Sequence, residues 1–357
     1  MPHHGRPDRS GERVDPVAAA DAWFLANGLS YFVPERRREA RAALSPRRTV
    51  PGLLLVALVA AAAGVALAWA TGQVSAAPAV VLTLVLLGVG WYALTVLHVR
   101  PILSWALGRT VSSLPSLLPQ MTRALPLLLI FVTFLFINAE VWQLAASLET
   151  GQLWLVVLLF AGLAVAFLLV RLPEEVDRAD DAVDAEFLRR ACRRTPLEAA
   201  CEEVLADPEA DPVGHATVTG FERGNLVLFL VVVQFVQVLL LAATVFGFFL
   251  LFGALTMGVG VQEAWTGMGR EEIRTLPYLE QVSVPLLQVS LFLGAFSLLY
   301  LTVSTVTDEA YRAQFFGLVT RELERAVGVR AVYLTLREQR REPPQTPQPG
   351  PSEQQRS

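Results

Sequence analysis

The chain has 357 residues, of which 54% are hydrophobic and 17% charged, so it is more apolar and less charged than an ordinary soluble domain. Its formal net charge of −4 lacks the basic excess typical of nucleic-acid-binding proteins, and we expect no nucleic-acid partner. Composition therefore indicates an integral membrane protein with the lipid bilayer as its surroundings.

Six apolar stretches approach or exceed the roughly 20 residues that an α-helix needs to cross a hydrocarbon core of about 30 Å. In chain order they are 51–70, 77–99, 125–146, 152–170, 225–251 and 284–306. They predict an all-α fold, a polytopic transmembrane helix bundle with six spans and with amphipathic helices outside the membrane. The predicted regions are the N-terminal region with interfacial helices (1–50), spans one to four (51–170, with an interfacial segment at 101–124), a helical loop (171–224), spans five and six (225–306, with an outer loop at 252–283), an amphipathic helix (307–341) and a disordered tail (342–357).

The arginines predict the orientation of these spans. If the spans alternate in direction, all but two of the 29 basic residues fall on one side, the exceptions being Arg270 and Arg274 in the outer loop. Because arginine-rich loops are retained in the cytoplasm, both termini are predicted to be cytoplasmic. Every basic residue is an arginine and lysine is absent, a bias typical of a GC-rich genome, so we expect the membrane to be a bacterial plasma (inner) membrane. A cleavable signal peptide competes for the first span, but its apolar run is longer than such signals use.

Two segments are predicted to lie along the inner surface before the third span. In the first, about 16–44, aromatic residues stand beside arginines, and Pro34 divides the segment into two short helices at the level of the lipid headgroups. In the second, 101–124, apolar residues from Leu103 and Leu107 onward recur at helical spacing, which predicts a helix in the membrane plane.

Two further inner segments, 171–224 and 307–341, are long enough to form surfaces for a cytoplasmic protein partner. The first predicts a helical hairpin, with one helix near 180–193 and another that Thr195 and Glu198 begin as a capping box and that ends near 207–208. In the second, Thr307 is expected to cap an amphipathic helix. Its predicted buried stripe consists of Phe316, Val319, Leu323 and Val327.

Polar side chains inside the spans are the candidate functional site, because such residues are costly in lipid. Span three carries Thr133, Glu140 and Gln143 along one predicted helix face, and spans five and six carry further glutamines and serines. Two readings stay open: hydrogen bonding between packed helices, or a path for a solute or ion. The candidate intramembrane polar site consists of Glu140, Gln143, Gln234, Gln237 and Ser297.

Two clusters have residue types that suit metal chemistry. Asp180, Asp181 and Asp184 have the DDxxD spacing that prenyl-transferring enzymes use to hold magnesium diphosphate, but the sequence shows no second acidic cluster to complete such a site. Cys192 and Cys201 match no zinc-binding spacing with His215, and a reducing compartment favours free thiols. The sequence thus assigns no catalytic residue, no metal ligand and no cofactor.

Three strings resemble multi-pass integral membrane proteins found among actinobacteria, a group with no assigned activity. They are residues 131–142, 171–175 and 307–312. The resemblance covers most of the chain outside its tails and implies location and threading, but it transfers no functional residue.

These observations favour a non-enzymatic plasma-membrane protein, a scaffold or regulator that presents its cytoplasmic face to a partner. The inner segments are long, whereas two of the three outer connections are minimal. The alternative is a small transporter or channel that uses the intramembrane polar residues. The third hypothesis is a metal-dependent, lipid-processing enzyme that uses the aspartate cluster.

Overall fold

The computed structural model describes residues 15–44, 46–96, 99–108, 128–276, 279–307 and 309–340. A short 3₁₀ turn covers Ser30–Phe32, and the strands β1 (Thr275–Leu276) and β2 (Leu279–Ser283) pair antiparallel. The helices are α1 (Pro16–Ala26), α2 (Pro34–Ala43), α3 (Pro46–Thr71), α4 (Ala76–Thr95), α5 (100–108), α6 (Leu128–Phe136), α7 (Ala139–Ser147), α8 (Thr150–Asp181), α9 (Ala185–Cys192), α10 (Glu198–Ala206), α11 (Gly220–Thr256), α12 (Val259–Thr266), α13 (Val284–Thr307) and α14 (Glu309–Gln339).

Within these ranges, five helices are long and apolar enough to cross a membrane: α3 from Thr49, α4, α8, α11, and α13 as far as Ser304. The pair α6 and α7 passes the same test together and makes up to six spans. The protein is therefore an all-α, polytopic membrane helix bundle, as its sequence predicts.

The prediction of one continuous third helix is wrong, because α6 and α7 meet at an angle of 73°. The Asn138 side chain accepts a hydrogen bond from the Glu140 N–H at 2.8 Å and caps α7, while the indole N–H of Trp142 donates to the Phe136 carbonyl at 2.7 Å. These bonds satisfy backbone groups that the break would leave unpaired. As a result, Thr133 does not share a helix with Glu140.

The spans differ in how much of their surface is covered. In the most apolar stretch of both α11 and α13, 56% of residues are buried, against 11% in α3 and 6% in α4. Aromatic packing joins the central helices, with Phe136 stacked on Phe249 at 4.9 Å between ring centroids. Helices α11 and α13, packed with α7 and α8, form the core of the bundle.

Helices α3 and α4 form a hairpin at the periphery. They approach closely at Gly64, where a Cβ atom would lie 2.8 Å from the Ala77 carbonyl oxygen. The hairpin contacts α8 through the Trp154 indole N–H, which donates to the Thr83 hydroxyl at 2.9 Å. Its remaining surface is apolar and exposed, as suits contact with lipid.

The described segments near both chain ends lie at the same end of the bundle, where Tyr333 of α14 binds Asp21 of α1, as six spans would require. We call residues 15–44, 182–219 and 321–340 together the polar cap. At the opposite end, α12 and the strand pair cover the bundle, and Trp265 packs against Trp142 with ring centroids 6.0 Å apart.

The N-terminal part of the polar cap corrects one prediction. Pro34 does separate two short helices, α1 and α2. However, Phe24, Tyr31 and Phe32 are buried inside the cap, so their side chains do not face lipid. The ring centroids of Phe24 and of Tyr333 on α14 are 5.2 Å apart. The burial of these aromatic residues is therefore decided by packing against the distant helix α14, and the local sequence does not predict it.

Helix α5 also departs from its predicted stripe. Ile102 and Ala106 are its fully buried residues, whereas Leu107 is exposed and Leu103 only half-buried. The buried face is set by the N-terminal segment and α11, against which α5 packs. The rest of the predicted in-plane helix, 109–124, lies outside the described residues.

The loop 171–224 forms the predicted hairpin with different ends. Helix α8 continues to Asp181, so the helix expected near 180–193 is only α9. The expected capping box is also wrong: the Thr195 hydroxyl donates to the Cys192 carbonyl, and the Glu198 carboxylate accepts from the Arg194 N–H. The end of α10 at Ala206 agrees with the prediction.

A helix is present at α14, with Leu323 and Val327 buried, but the prediction of a single buried stripe is wrong, because every residue from 326 to 333 is buried. Phe316 and Val319 lie outside the described side chains. The expected cap at Thr307 is not tested, because Asp308 lies outside the described residues, as does the tail 342–357.

Candidate functional site: polar cap and bundle core

A buried ion-pair cluster joins the polar cap to the first turn of α11. The Glu222 carboxylate is 2.7 Å from the Arg37 guanidinium and 2.7 Å from that of Arg330. Arg330 also donates to the His215 carbonyl at 2.7 Å. Glu222 is 2% exposed and Arg330 7%, so each charge depends on its partners for compensation.

Asn225, one turn further along α11, binds the N-terminal segment to this helix. Its amide donates to the Gly28 carbonyl at 3.1 Å and its oxygen accepts from the Tyr31 N–H at 3.2 Å, in a fully buried position. Gly28 has a φ of +69° and lies against α5, where a Cβ would be 3.1 Å from that of Trp105. The turn therefore holds three segments together.

Tyr333 connects α14 to α1. Its hydroxyl donates to the Asp21 carboxylate at 2.6 Å and accepts from Arg337 at 3.0 Å. Burial, and then the Asp21 carboxylate, raise the pKa of Tyr333, so the phenol keeps its proton. At the surface, Arg340 binds Asp15 and lowers the pKa of that carboxyl group.

The two cysteines of the α9–α10 hairpin are buried and free, as predicted. The interaction with the Cys201 thiol, and then burial, raise the pKa of Cys192, while the interaction with Cys192 lowers the pKa of Cys201. His215 instead contacts the Asp211 carbonyl at 3.0 Å and the Glu338 carboxylate at 3.1 Å.

Two of the three aspartates of the DDxxD sequence accept hydrogen bonds from backbone N–H groups. Asp180 accepts from the Val218 N–H at 2.9 Å, and Asp184 caps α9 by accepting from the Phe187 N–H at 2.7 Å. Because α8 ends at Asp181 and Asp184 caps the next helix, Asp180 and Asp184 do not share a helix. Across the described ranges, no group of three or more His, Cys, Asp or Glu residues is placed to hold a metal ion.

Two arginine-lined clefts open on the polar cap. The α9–α14 cleft has a volume of about 650 Å³ and the α2–α14 cleft about 660 Å³. The α9–α14 cleft is lined by Arg190, Arg193, Arg194, Arg321 and Arg325, together with Phe187, Ala191, Glu322 and Glu324. Guanidinium groups outnumber carboxylates in it, so it favours an acidic ligand.

In the bundle core, three polar side chains on α11 and α13 have unsatisfied hydrogen-bonding atoms. Both amide atoms of Gln234, the Gln237 side-chain oxygen and the Ser290 hydroxyl are buried without a hydrogen-bond partner among the described residues. Ser297 is fully buried and donates to the Leu293 carbonyl at 2.7 Å.

The predicted intramembrane set is therefore divided. Gln234, Gln237 and Ser297 lie in the core, whereas Glu140 and Gln143 are exposed on α7 beyond the break. Sequence reasoning did not select the Arg37, Glu222 and Arg330 cluster, because these residues lie among many other charges. Its one local signal was an acid in the first turn of a spanning helix.

Comparisons of this chain with protein-family models, with curated proteins and with solved structures gave no match. The functional argument therefore depends on geometry.

Proposed function

We propose that this protein is a non-enzymatic scaffold or regulator of the bacterial plasma membrane, whose polar cap lies in the cytoplasm and binds an acidic protein partner in the α9–α14 cleft. The observation that carries the proposal is the cap itself. It packs segments from three distant parts of the chain into one body, and buried ion pairs attach that body to α11.

The orientation follows from the arginines. Most of them belong to segments at the cap end, whereas Arg270 and Arg274 belong to the loop at the other end. Moving such segments across a bilayer is unfavourable, so the cap end is retained inside. The resemblance to actinobacterial membrane proteins supports the same location.

Membrane-impermeant maleimide tests this orientation in intact cells. The variants are Arg270→Cys at the outer end and Glu186→Cys in the cap, both at exposed positions. We expect labelling of Arg270→Cys only, with Glu186→Cys reacting after the cells are opened. Labelling of Glu186→Cys in intact cells would contradict the proposal, and the native cysteines are buried.

Partner binding is supported by the composition of the cleft. Its lining comes from the two segments that the sequence predicts as partner surfaces, 171–224 and 307–341. Arg325 is fixed there by donating to the Arg193 and Arg194 carbonyls at 3.0 and 3.3 Å, which orients the wall of the cleft. A fixed guanidinium loses less side-chain entropy on binding a carboxylate.

Charge reversal tests the docking surface. The double variant Arg190→Glu with Arg193→Glu reverses two charges in the lining of the cleft. Arg189→Glu is the control, because Arg189 lies on α9 next to Arg190 but outside the lining. After cross-linking in native membranes, we expect an acidic protein to be recovered with the wild type and the control and lost with the double variant. Recovery of the same proteins with all three would refute docking in this cleft.

A transporter or channel is the second candidate function, because the third span is broken and the core carries unsatisfied polar atoms. Discontinuous helices and polar groups within the bundle are features of transport sites. Glu140→Gln with Gln237→Leu is expected to abolish solute flux in proteoliposomes if a path exists. Unchanged flux would exclude this function.

A further inference from the structure

We propose that the α2–α14 cleft binds a phosphate group, with Arg41 and Arg337 as its main contacts. The cleft, about 660 Å³, is lined by four arginines and His215, with Glu338 as the acid of the lining. This site is separate from the α9–α14 cleft, so the inference does not depend on the docking proposal. The arginines are Arg37, Arg38, Arg41 and Arg337.

The four guanidinium groups are held in two different ways. Arg37 is bound to Glu222, and Arg38 to Glu35. Arg41 instead lies over the Phe221 ring at 5.5 Å from its centroid, and in the described part of the chain no carboxylate forms an ion pair with it. Its charge is thus positioned but not neutralised.

Arg337 is fixed in a comparable way. Its guanidinium lies 5.5 Å from the centroid of the Tyr333 ring and donates to the Tyr333 hydroxyl at 3.0 Å. That hydroxyl is itself fixed by donating to Asp21. Since no described carboxylate lies within ion-pair distance of Arg337, its remaining N–H groups are available to a ligand.

This arrangement suits a phosphate group for a chemical reason. A guanidinium is a planar fork that binds phosphate oxygens through two parallel hydrogen bonds, and aromatic stacking fixes the fork before the ligand arrives. Preorganisation reduces the entropy lost on binding. Two such forks on separate helices can bind one dianion from two sides.

The position of the cleft allows two sources of phosphate. Helix α2 ends at Ala43, the first span begins at Thr49, and the Tyr92 hydroxyl at the end of α4 donates to the Ala43 carbonyl at 2.8 Å. Arg41, in the last turn of α2, therefore lies near the membrane surface, within reach of lipid headgroups. A lipid headgroup that ends in a phosphate monoester and a soluble phosphate share the required chemistry.

The test uses the full chain in nanodiscs and measures the midpoint of thermal unfolding, because a ligand that binds the folded state raises it. One arm titrates inorganic phosphate into phosphatidylcholine nanodiscs, with chloride at matched ionic strength as reference. The other arm uses nanodiscs that contain phosphatidic acid. A rise with inorganic phosphate supports a soluble ligand, and a rise confined to phosphatidic acid supports a lipid headgroup.

Variants connect the effect to the two arginines. Arg41→Gln with Arg337→Gln is expected to weaken binding about tenfold or more. Arg36→Gln should leave it unchanged, because Arg36 lies on α2 outside the lining and pairs with Glu39. No rise in either arm, or equal weakening in the Arg36→Gln control, would overturn the proposal.

Lysine variants keep the test decisive if the glutamine double variant does not fold. Arg41→Lys with Arg337→Lys preserves the charge but removes the fork, and we expect about tenfold weaker binding. Wild-type affinity in this variant would overturn the assignment to guanidinium groups.

Discussion

Helix α11 carries two groups of buried polar side chains that differ in their hydrogen bonding. At its first turns, Glu222 and Asn225 bind partners on α2, on α14 and in the turn that contains Gly28. Further along, Gln234 and Gln237 are equally buried, but some of their amide atoms have no hydrogen-bond partner among the described residues. One helix thus has a fully bonded polar end and an incompletely bonded middle.

This difference indicates a structural role for Glu222 and Asn225, whereas no role is assigned to Gln234 and Gln237. An unpaired buried polar group costs about 1–3 kcal/mol, whereas a bonded one holds its partners in place. Changes at the first turns should therefore loosen the polar cap. Changes in the middle should affect stability little and affect transport, if the protein transports a solute.

The largest effect is expected for Glu222→Gln. This change leaves Arg37 and Arg330 without their shared carboxylate, and removing one partner of a buried ion pair costs about 3–5 kcal/mol. A lower midpoint of thermal unfolding and faster hydrogen exchange in α14 should follow. Glu186→Gln is the control, because Glu186 is an exposed acid on α9. A midpoint equal to that of the control would show that the cluster is not essential for stability.

A smaller loss is expected for Asn225→Leu. The Gly28 carbonyl and the Tyr31 N–H would lose their side-chain partner, at about 1–3 kcal/mol for a buried group left unbonded. The same unfolding measurement applies. In the control, Asn27→Ala, only a bond within α1 is lost, and we expect a smaller change. An equal effect of the two substitutions would contradict the anchoring role of Asn225.

Little or no loss is expected for Gln234→Leu. The substitution removes two amide atoms that lack a described partner and introduces an apolar side chain of similar size. The free energy of unfolding should therefore stay within about 1 kcal/mol of the wild-type value or rise. Unfolding in matched detergent measures it. A loss of stability as large as that of Asn225→Leu would mean that Gln234 has a hydrogen-bond partner in the membrane. The two groups of polar side chains on α11 would then not differ in their hydrogen bonding.

The smallest effect is expected for Asp15→Asn at the surface. Arg340 lowers the pKa of Asp15, so the folded state binds this proton less readily than the unfolded chain. The stabilisation is present above the unfolded pKa, near 3.8, and is lost as the pH falls through the lower folded value. The unfolding midpoint at neutral pH should fall slightly, and salt should abolish the difference. A salt-independent fall would indicate another role for Asp15.

Particular residues show how far prediction from sequence could go. The apolar stretches identified the spans, and Pro34 identified the boundary between α1 and α2. The break before α7 was missed, because Asn138 is a single polar residue in an apolar run and its capping bond depends on local geometry. Of the candidate site, Gln234, Gln237 and Ser297 are buried in the bundle core, but Glu140 and Gln143 are exposed beyond the break.

The sequence by itself determined which segments enter the membrane, because the free energy of transfer into lipid adds up residue by residue along a helix. The tertiary structure alone decided which of these spans form the core and which arginines are neutralised. Asn225 and Gly28 are 197 positions apart, and Arg330 and Glu222 are 108 apart. Such pairs depend on the packing of distant segments, and no local pattern of residues encodes them.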